Sequence, residues 1–230
     1  MPSKPIRKLT AWSYSRYYTY SVCPRKAKLG YIDKIREPAN AAMDRGSKIH
    51  ILAEKYVTSP DRVKIPEELK YFSEEFMRLR RRRKKSPDSV LTEKQWAFTE
   101  NWEPTGWFDR DAWCRVVLDV IIYNEKTHTA TVVDYKTGKI RDNHKEQLSL
   151  YALAMFTMFG DCKTVDASMW YLDQGEIGDT RYTRDQLEWL REEWEKKSKP
   201  MLNDTVFAPT PSWLCKWCFY SKDKNGPCEF

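Results

Sequence analysis

Hydrophobic and polar residues follow two patterns along this chain, one typical of strands and the other of helices. We predict strands in four segments rich in β-branched and apolar residues: 90–98, 115–123, 132–135 and 165–172. We predict helices where apolar residues recur at helical spacing, within segments 11–26, 41–57, 66–85, 141–156 and 183–199. Strands interleaved with helices predict an α/β fold, with a short mixed β-sheet flanked by helices.

The second and third strands form a predicted hairpin that carries two acidic residues. The polar segment 124–128 between them is typical of a turn. A turn centred between Lys126 and Thr127 places Asp119 opposite Asp134, with Cβ atoms about 5 Å apart. Two buried carboxylates at that separation repel each other unless a divalent cation lies between them, so the hairpin predicts a metal site.

Lys136 lies two residues beyond Asp134, so both side chains leave the same face of the strand. An ammonium group beside a metal-binding carboxylate suits charge stabilisation or the orientation of a water molecule. The alternative is an exposed Asp134–Lys136 pair on an edge strand. That alternative leaves Asp119 unexplained inside an apolar strand, and we therefore favour the metal site.

Composition and charge narrow the class of protein. Hydrophobic residues make up 41% and aromatic residues 14% of the 230 positions, which predicts one folded domain over 1–230 and excludes a disordered chain. Forty Lys and Arg against 33 Asp and Glu give a net charge of +7, which suits a polyanionic partner without proving one. Because no membrane-spanning run or signal sequence is found, we expect a cytoplasmic protein whose six cysteines form no disulfides.

The predicted helix 66–85 ends in a basic run that has two interpretations. Seven of the eight residues 78–85 are Arg or Lys. Cations suit the C-terminal end of a helix, so a solvated helix end explains part of the pattern. The density exceeds what capping requires, and we favour phosphate contacts by four residues: Arg80, Arg81, Arg82 and Arg83.

Four cysteines at the two ends of the chain predict a second inorganic site. Cys215 and Cys218 have the C-x2-C spacing that is common among metal ligands. Cys228 and the distant Cys23 complete four thiolates, the usual complement of a [4Fe-4S] cluster or a zinc ion.

The hairpin and its surroundings resemble a known family. Asp119, followed by segment 134–139 (DYKTGK), resembles the PD-(D/E)xK nuclease core and in particular its RecB-like exonuclease branch. Segment 45–50 matches R-G-x-x-x-H, the first motif of that branch, and Gln147 with Tyr151 matches its Q-x-x-x-Y motif. The resemblance implies a restriction-endonuclease-like core.

The resemblance also implies a role for each motif residue. One or two Mg²⁺ or Mn²⁺ ions would be held by four groups: His50, Asp119, Asp134 and the Tyr135 carbonyl. Lys136 would orient the attacking water or stabilise the developing charge. Gln147 would support the site or the scissile phosphate, and Tyr151 would contact nearby DNA. Glu93 is either an auxiliary ligand or an exposed surface residue.

The one-plus-three cysteine arrangement resembles the cluster-bearing RecB-like nucleases, which include CRISPR-associated and phage exonucleases. In these nucleases an iron–sulfur cluster ties the C-terminal cysteine segment to the N-terminal helix. For this chain, the resemblance implies a tie between 207–230 and about 11–30. A zinc ion remains the alternative to a [4Fe-4S] cluster.

We therefore expect a metal-dependent DNA exonuclease that acts in recombination or DNA processing, on single-stranded or double-stranded ends. We expect it in the cytoplasm of a bacterium or a phage-infected host cell, with no membrane partner. A homo-oligomer or a recombination partner protein stays open. The alternative is a non-catalytic DNA-binding module, or a structural subunit with a silent nuclease site. The complete set of core residues favours the enzyme.

Overall fold

A six-stranded mixed sheet forms the centre of the computed structural model, which describes residues 8–141 and 143–230. The strands are β1 Leu91–Phe98, β2 Pro104–Thr105, β3 Cys114–Asn124, β4 Thr129–Lys136, β5 Thr164–Tyr171 and β6 Glu176–Thr183. Their order in the sheet is β2-β1-β3-β4-β5-β6. β4 and β5 are parallel, and the other neighbouring pairs are antiparallel.

The described residues also form six α-helices, which lie around this sheet. They are α1 Tyr14–Val22, α2 Pro24–Ala27, α3 Ala41–Thr58, α4 Ser73–Lys85, α5 His144–Met158 and α6 Leu187–Asn203. The predicted α/β class, a short mixed sheet flanked by helices, is confirmed. None of the described helices combines the length and the apolar character that crossing a membrane requires.

Both faces of the sheet are buried, and the strand residues alternate between them. Val132 of β4 belongs to a core shared with Leu153 of α5 and Trp194 of α6. The next residue, Val133, belongs to a separate core that includes Phe76 of α4 and Ile49 of α3. The two helical layers therefore fix the position of β4 from both sides.

The register of the β3–β4 hairpin is the one that the turn predicts. The strands pair from Asn124↔Thr129 to Val120↔Val133. The next pair in this register would be Asp119 with Asp134. There the ladder gives way, because Asp119 Oδ2 accepts the Tyr135 N–H at 2.6 Å.

Beyond that point, the two strands follow different neighbours. β3 continues beside β1 as far as Phe98↔Cys114, while β4 continues beside β5 as far as Lys136↔Tyr171. Trp12 takes the place beside β3 that β4 has left, through a parallel bridge to Cys114. A cleft therefore opens between β3 and β4 directly after the two acids.

The N-terminal segment is part of the core rather than an appendage. Ser13 caps α1 by accepting the Arg16 N–H. Cys23 is extended before Pro24, because a proline disfavours the helical conformation in the residue before it, and α1 ends there. The fully buried Trp12 stacks on Trp194 with ring centroids 5.7 Å apart, which joins the first segment to α6.

The structure adds two strands that the hydrophobic pattern does not predict. β2 has two residues, and β6 is polar, with Tyr182 as its one buried residue. β6 pairs with β5 along its whole length, so backbone hydrogen bonds rather than apolar alternation hold it. α6 also extends past the predicted end at 199, through Pro200 to Asn203, where the buried Met201 anchors its last turn.

Arg80 is a correction to the predicted phosphate contacts, because its side chain points into the protein. It is 9% exposed, and its guanidinium donates hydrogen bonds of 3.4 Å to the carbonyls of Ser59 and Val63. The same guanidinium lies 5.0 Å from the centre of the Tyr56 ring. Arg80 therefore fixes α4 against the end of α3. Arg81 and Arg82 are exposed, as the phosphate interpretation requires.

We expect Arg80→Met to lower the free energy of unfolding by about 1–3 kcal/mol, because it removes hydrogen bonds to a charged group and a cation–π contact. Arg81→Met, one residue along the same helix, should change stability by less than about 0.5 kcal/mol. Urea denaturation of both variants measures the difference. Equal stabilities would contradict the structural role of Arg80.

Candidate active site

The two hairpin acids lie at the inner end of the cleft between β3 and β4. Asp119 is 6% exposed and Asp134 is 4% exposed. The cleft is walled by residues 12–16 of the N-terminal segment, by the unpaired edge of β3, and by one face of α5. A solvent-accessible pocket therefore reaches the two buried carboxylates.

α3 brings His50 into contact with both strands. Its Nδ1 lies 3.2 Å from Asp119 Oδ1, and its Nε2 lies 3.1 Å from the Tyr135 carbonyl oxygen. Gly46, one turn earlier, permits this approach, since a Cβ there would lie 3.2 Å from Thr137 Oγ1. The predicted grouping of His50, Asp119 and the Tyr135 carbonyl is present in the structure.

Glu93 joins the same group from β1. Its backbone has a φ of 48°, an unusual value inside a strand, and its carboxylate comes within 3.9 Å of His50 Nδ1. His50, Glu93 and Asp119 each offer a ligand atom, and these atoms lie within 4.8 Å of one another. Of the two interpretations that the sequence left open, the geometry supports an auxiliary ligand.

Asp134 is one of four side chains that form a closed ring of polar contacts. Its Oδ2 lies 2.6 Å from Lys136 Nζ, and its Oδ1 accepts a hydrogen bond of 2.6 Å from the Tyr151 hydroxyl. Gln147 closes the ring, because its Nε2 donates to the Tyr151 hydroxyl and its Oε1 accepts from Lys136 Nζ at 3.0 Å. The Q-x-x-x-Y residues of α5 thus hold the two charged residues of β4.

This ring gives Tyr151 a contact that the sequence did not predict. Its side chain is 3% exposed, and its hydroxyl donates to Asp134. Tyr151 also lines the pocket, so its contact with DNA stays a prediction.

Burial and mutual repulsion perturb the acids. Burial, followed by the charge of Asp134, raises the pKa of Asp119. Burial and the charge of Asp119 raise the pKa of Glu93 to about 7. Burial lowers the pKa of His50, but the hydrogen bond and charge of Asp119 outweigh it and raise the pKa overall. A bound divalent cation would relieve this repulsion.

The donor set suits a hard divalent cation. Carboxylate and carbonyl oxygens are the ligands that Mg²⁺ and Mn²⁺ prefer. Mn²⁺, which is a transition metal, also accepts an imidazole ligand. Asp134 Oδ2 is buried and accepts no hydrogen bond from any described residue, although it forms an ion pair with Lys136 Nζ at 2.6 Å. An ion would satisfy this oxygen.

The exposed basic residues of α4 lie away from the acids. Arg82 lies beside the hairpin turn, in a shallow cavity shared with Asn124 and Lys126. Asn124 lies five positions after Asp119 on β3, which is about 17 Å at the rise of a strand. Arg83 is partly engaged, because it donates to the Val90 and Pro87 carbonyls.

The pocket contains two other cations, Arg16 and Arg115, which the sequence did not single out. Neither belongs to a motif or a charged run. Their one sequence signal is indirect, since Arg115 begins the acid-bearing strand and Arg16 follows the Ser13 cap.

The four candidate cluster cysteines line one cavity. Cys23 comes from the end of α1, and Cys215, Cys218 and Cys228 come from the C-terminal segment. The N–H groups of Thr210 and Ser212 point at the sulfurs of Cys23 and Cys215, at 3.5 and 3.4 Å. Cys114 and Cys162 are buried elsewhere, and all six cysteines are free.

The spacing of these thiols bears on what they could hold. A tetrahedral zinc ion with Zn–S bonds of about 2.3 Å requires sulfurs about 3.8 Å apart. Within residues 8–141 and 143–230, no three cysteine sulfurs lie within 4.8 Å of one another. A [4Fe-4S] cluster binds each thiolate on a different iron atom, so it does not require three sulfurs that close together.

Comparisons with known proteins agree with the fold. The chain matches the model of the PD-(D/E)XK nuclease superfamily over residues 11–222. No curated protein sequence matches it. A solved structure from Eubacterium rectale, named "Putative exonuclease", has a TM-score of 0.51 and 13% identity, and covers 91% of this chain and 87% of its own.

A second solved structure, the protein SSO0001, has a TM-score of 0.38 and 16% identity, and covers 97% of this chain and 88% of its own. A TM-score of 0.38 is too low to establish a shared fold. The Eubacterium rectale structure, at 13% identity, shows similarity of fold alone. The family match is the stronger finding, since it spans both strands of the acid-bearing hairpin and the α5 motif. The sheet has the restriction-endonuclease-like form that the resemblance implied, and the chain belongs to the PD-(D/E)XK nuclease superfamily.

Proposed function

We propose that this protein is a metal-dependent deoxyribonuclease that degrades DNA from its ends. One observation carries the proposal: His50, Asp119 and Asp134 line one open pocket, and Lys136 pairs with Asp134 beside it. The exonuclease mode is supported by the RecB-like motifs, and the Eubacterium rectale neighbour bears an exonuclease name.

The proposed metal ligands are His50, Asp119, Asp134 and the Tyr135 carbonyl, with Glu93 as an addition from the structure. When bound, Mg²⁺ or Mn²⁺ lowers the pKa of a water molecule and offsets negative charge on the phosphate. The Tyr135 N–H holds the Asp119 carboxylate in place at 2.6 Å. That hydrogen bond fixes the carboxylate orientation before any ion arrives.

Lys136 is the proposed water-orienting or charge-stabilising group. Its ammonium is anchored by Asp134 at 2.6 Å and by Gln147 at 3.0 Å. An ammonium has three N–H donors, and the hydrogen bond to Gln147 uses one of them. Because the ion pair with Asp134 and this hydrogen bond fix the position of the ammonium, it can stabilise charge at a defined place in a transition state.

The same contacts argue against a silent nuclease site. A subunit under no catalytic constraint would need no lysine beside buried acids, because burying these charges costs free energy. Here every residue of the proposed machinery is present and connected to a neighbour. We therefore place the enzyme ahead of the non-catalytic module.

The cysteine cavity is proposed to hold a [4Fe-4S] cluster that ties the C-terminal segment 207–230 to α1. This assignment is supported by the family resemblance and by the shared cavity. Backbone N–H groups directed at two of the sulfurs would stabilise thiolates there. The cluster would act as a structural clasp, because the segment has little apolar sequence after Phe219.

Asp134→Asn should reduce DNA cleavage by about 10³-fold or more, since it removes several kcal/mol of transition-state stabilisation. DNA binding should change far less. The assay is Mn²⁺-dependent digestion of end-labelled linear and circular DNA, both single-stranded and double-stranded. Asp166→Asn, which alters an exposed ion pair on β5, is the control. Wild-type rates for Asp134→Asn would remove the catalytic assignment, and rapid cutting of circles would remove the exonuclease mode.

Replacing Arg81 and Arg82 together by Gln should weaken DNA binding and flatten its salt dependence. Each lost phosphate contact should lower the log–log salt slope by about 0.7–0.9. The matched control is Arg181→Gln with Arg191→Gln, which removes the same charge from residues already paired with acids. The same slope in both double variants would show that the α4 run is a solvated helix end.

Anaerobically purified protein should be brown and contain iron and acid-labile sulfide, with broad absorbance at about 400 nm. Cys23→Ala should lose the iron and loosen the C-terminal segment, as measured by limited proteolysis. Cys162→Ala, which alters a buried cysteine outside the cavity, should keep the iron. Stoichiometric zinc would overturn the cluster but keep the clasp, and protein without metal would overturn both.

A further inference from the structure

Two arginines line the pocket. Arg16 lies on α1, and Arg115 lies near the start of β3. Each guanidinium is held by a backbone carbonyl, Arg16 by Ala11 at 2.8 Å and Arg115 by Trp107 at 2.9 Å. Each also lies over an aromatic ring, at 5.3 Å for Arg16 on Tyr31 and 5.7 Å for Arg115 on Trp107.

Neither guanidinium has an acidic partner within the described part of the chain. Other arginines of this protein do pair with carboxylates within 4.0 Å: Arg45, Arg78, Arg181 and Arg191. Burial and the positive charge of Arg115 lower the pKa of Arg16. Two half-buried cations of like charge therefore line one pocket, and neither has an acidic partner among the described residues.

Free N–H groups remain on both side chains. A guanidinium has five N–H donors in a planar fork, and one on each side chain donates to the backbone. Such forks match the paired oxygens of a phosphate. A phosphodiester between Arg16 and Arg115 would neutralise their repulsion and use the free donors.

Aromatic side chains accompany this pair. Trp107 lines the pocket, and the next residue, Phe108, is 91% exposed. Both lie on the segment between β2 and β3. An apolar side chain with this much exposed surface contributes little to the stability of the fold. Unpaired bases, however, can stack on an exposed aromatic ring. A duplex hides its base faces, so the combination favours a single strand.

We propose that Arg16, Arg115, Trp107 and Phe108 bind the single-stranded DNA segment next to the scissile phosphate. The arginines bind backbone phosphate, and the two aromatic rings stack on unpaired bases. The strand then runs along the free edge of β3 toward Asp119. This subsite deepens the proposed nuclease function by naming its substrate as a single strand, and it rests on that function only for its orientation.

The test is equilibrium binding, measured by fluorescence anisotropy, of a labelled oligo(dT), an abasic strand of equal length and a blunt duplex. The full chain carries Asp134→Asn in every case, so that cleavage does not interfere. We expect this protein to bind oligo(dT) about tenfold more tightly than the abasic strand, and more tightly than the duplex. Phe108→Ala should abolish most of the difference in affinity between oligo(dT) and the abasic strand. Since Phe108 is 91% exposed, its removal should leave folding intact.

Arg16→Gln and Arg115→Gln should act differently from Phe108→Ala. Each substitution should weaken the binding of oligo(dT) and of the abasic strand equally, by roughly fivefold to tenfold. Each should also lower the log–log slope of affinity against salt concentration by about 0.7. Trp189→Ala, at an exposed aromatic on α6, and Arg181→Gln are the matched controls and should change neither.

Unchanged binding in Phe108→Ala and in both arginine variants would overturn the subsite, even if digestion assays established the nuclease. Preference for the duplex over oligo(dT) would overturn it too. Conversely, the expected binding differences in a protein that never cuts DNA would keep the subsite and remove the catalytic proposal.

Discussion

Two buried carboxylates, Asp119 and Asp134, meet where β3 and β4 separate, and the surrounding polar contacts compensate for their repulsion. The Tyr135 N–H, which would otherwise serve the ladder, donates to Asp119. Lys136, Gln147 and Tyr151 close a ring around Asp134. Because each side chain in the ring has two partners, losing one would leave a buried polar group unsatisfied. The arrangement is therefore rigid before substrate binds, as a catalytic site requires.

Much of this centre could be predicted because it depends on local rules. The turn fixed the hairpin register, and the register placed the two acids opposite each other. The spacing of Gln147 and Tyr151 placed both on one face of a helix. His50 was different, since helical spacing alone gives a histidine no distant partner. Its contact with Asp119 was predicted from the family resemblance.

The remaining features depend on geometry that no local pattern encodes. Glu93 reaches the site through a left-handed backbone conformation inside a strand. The neighbouring residues in the sequence do not predict this conformation. Arg80 and Arg81 differ by one helical step, and that 100° rotation decides which one is buried. β6 is held by backbone pairing and so has no hydrophobic signature. Arg115 and Arg16 line the same pocket because Trp12 bridges to β3, a contact between distant parts of the chain.

The bridge between Trp12 and β3 has a consequence for the order of folding. Trp12 is fully buried among partners that follow it by about a hundred residues in β3 and far more in α6. Contacts of such long sequence separation form late, because the loop they close costs entropy first. During synthesis, the hairpin with both acids can pair long before α6 exists. The pocket wall, however, waits for Trp194. In an incomplete chain that lacks α6, the acid-bearing hairpin can therefore form while Trp12 still lacks the ring on which it stacks, so the wall formed by residues 12–16 is completed last.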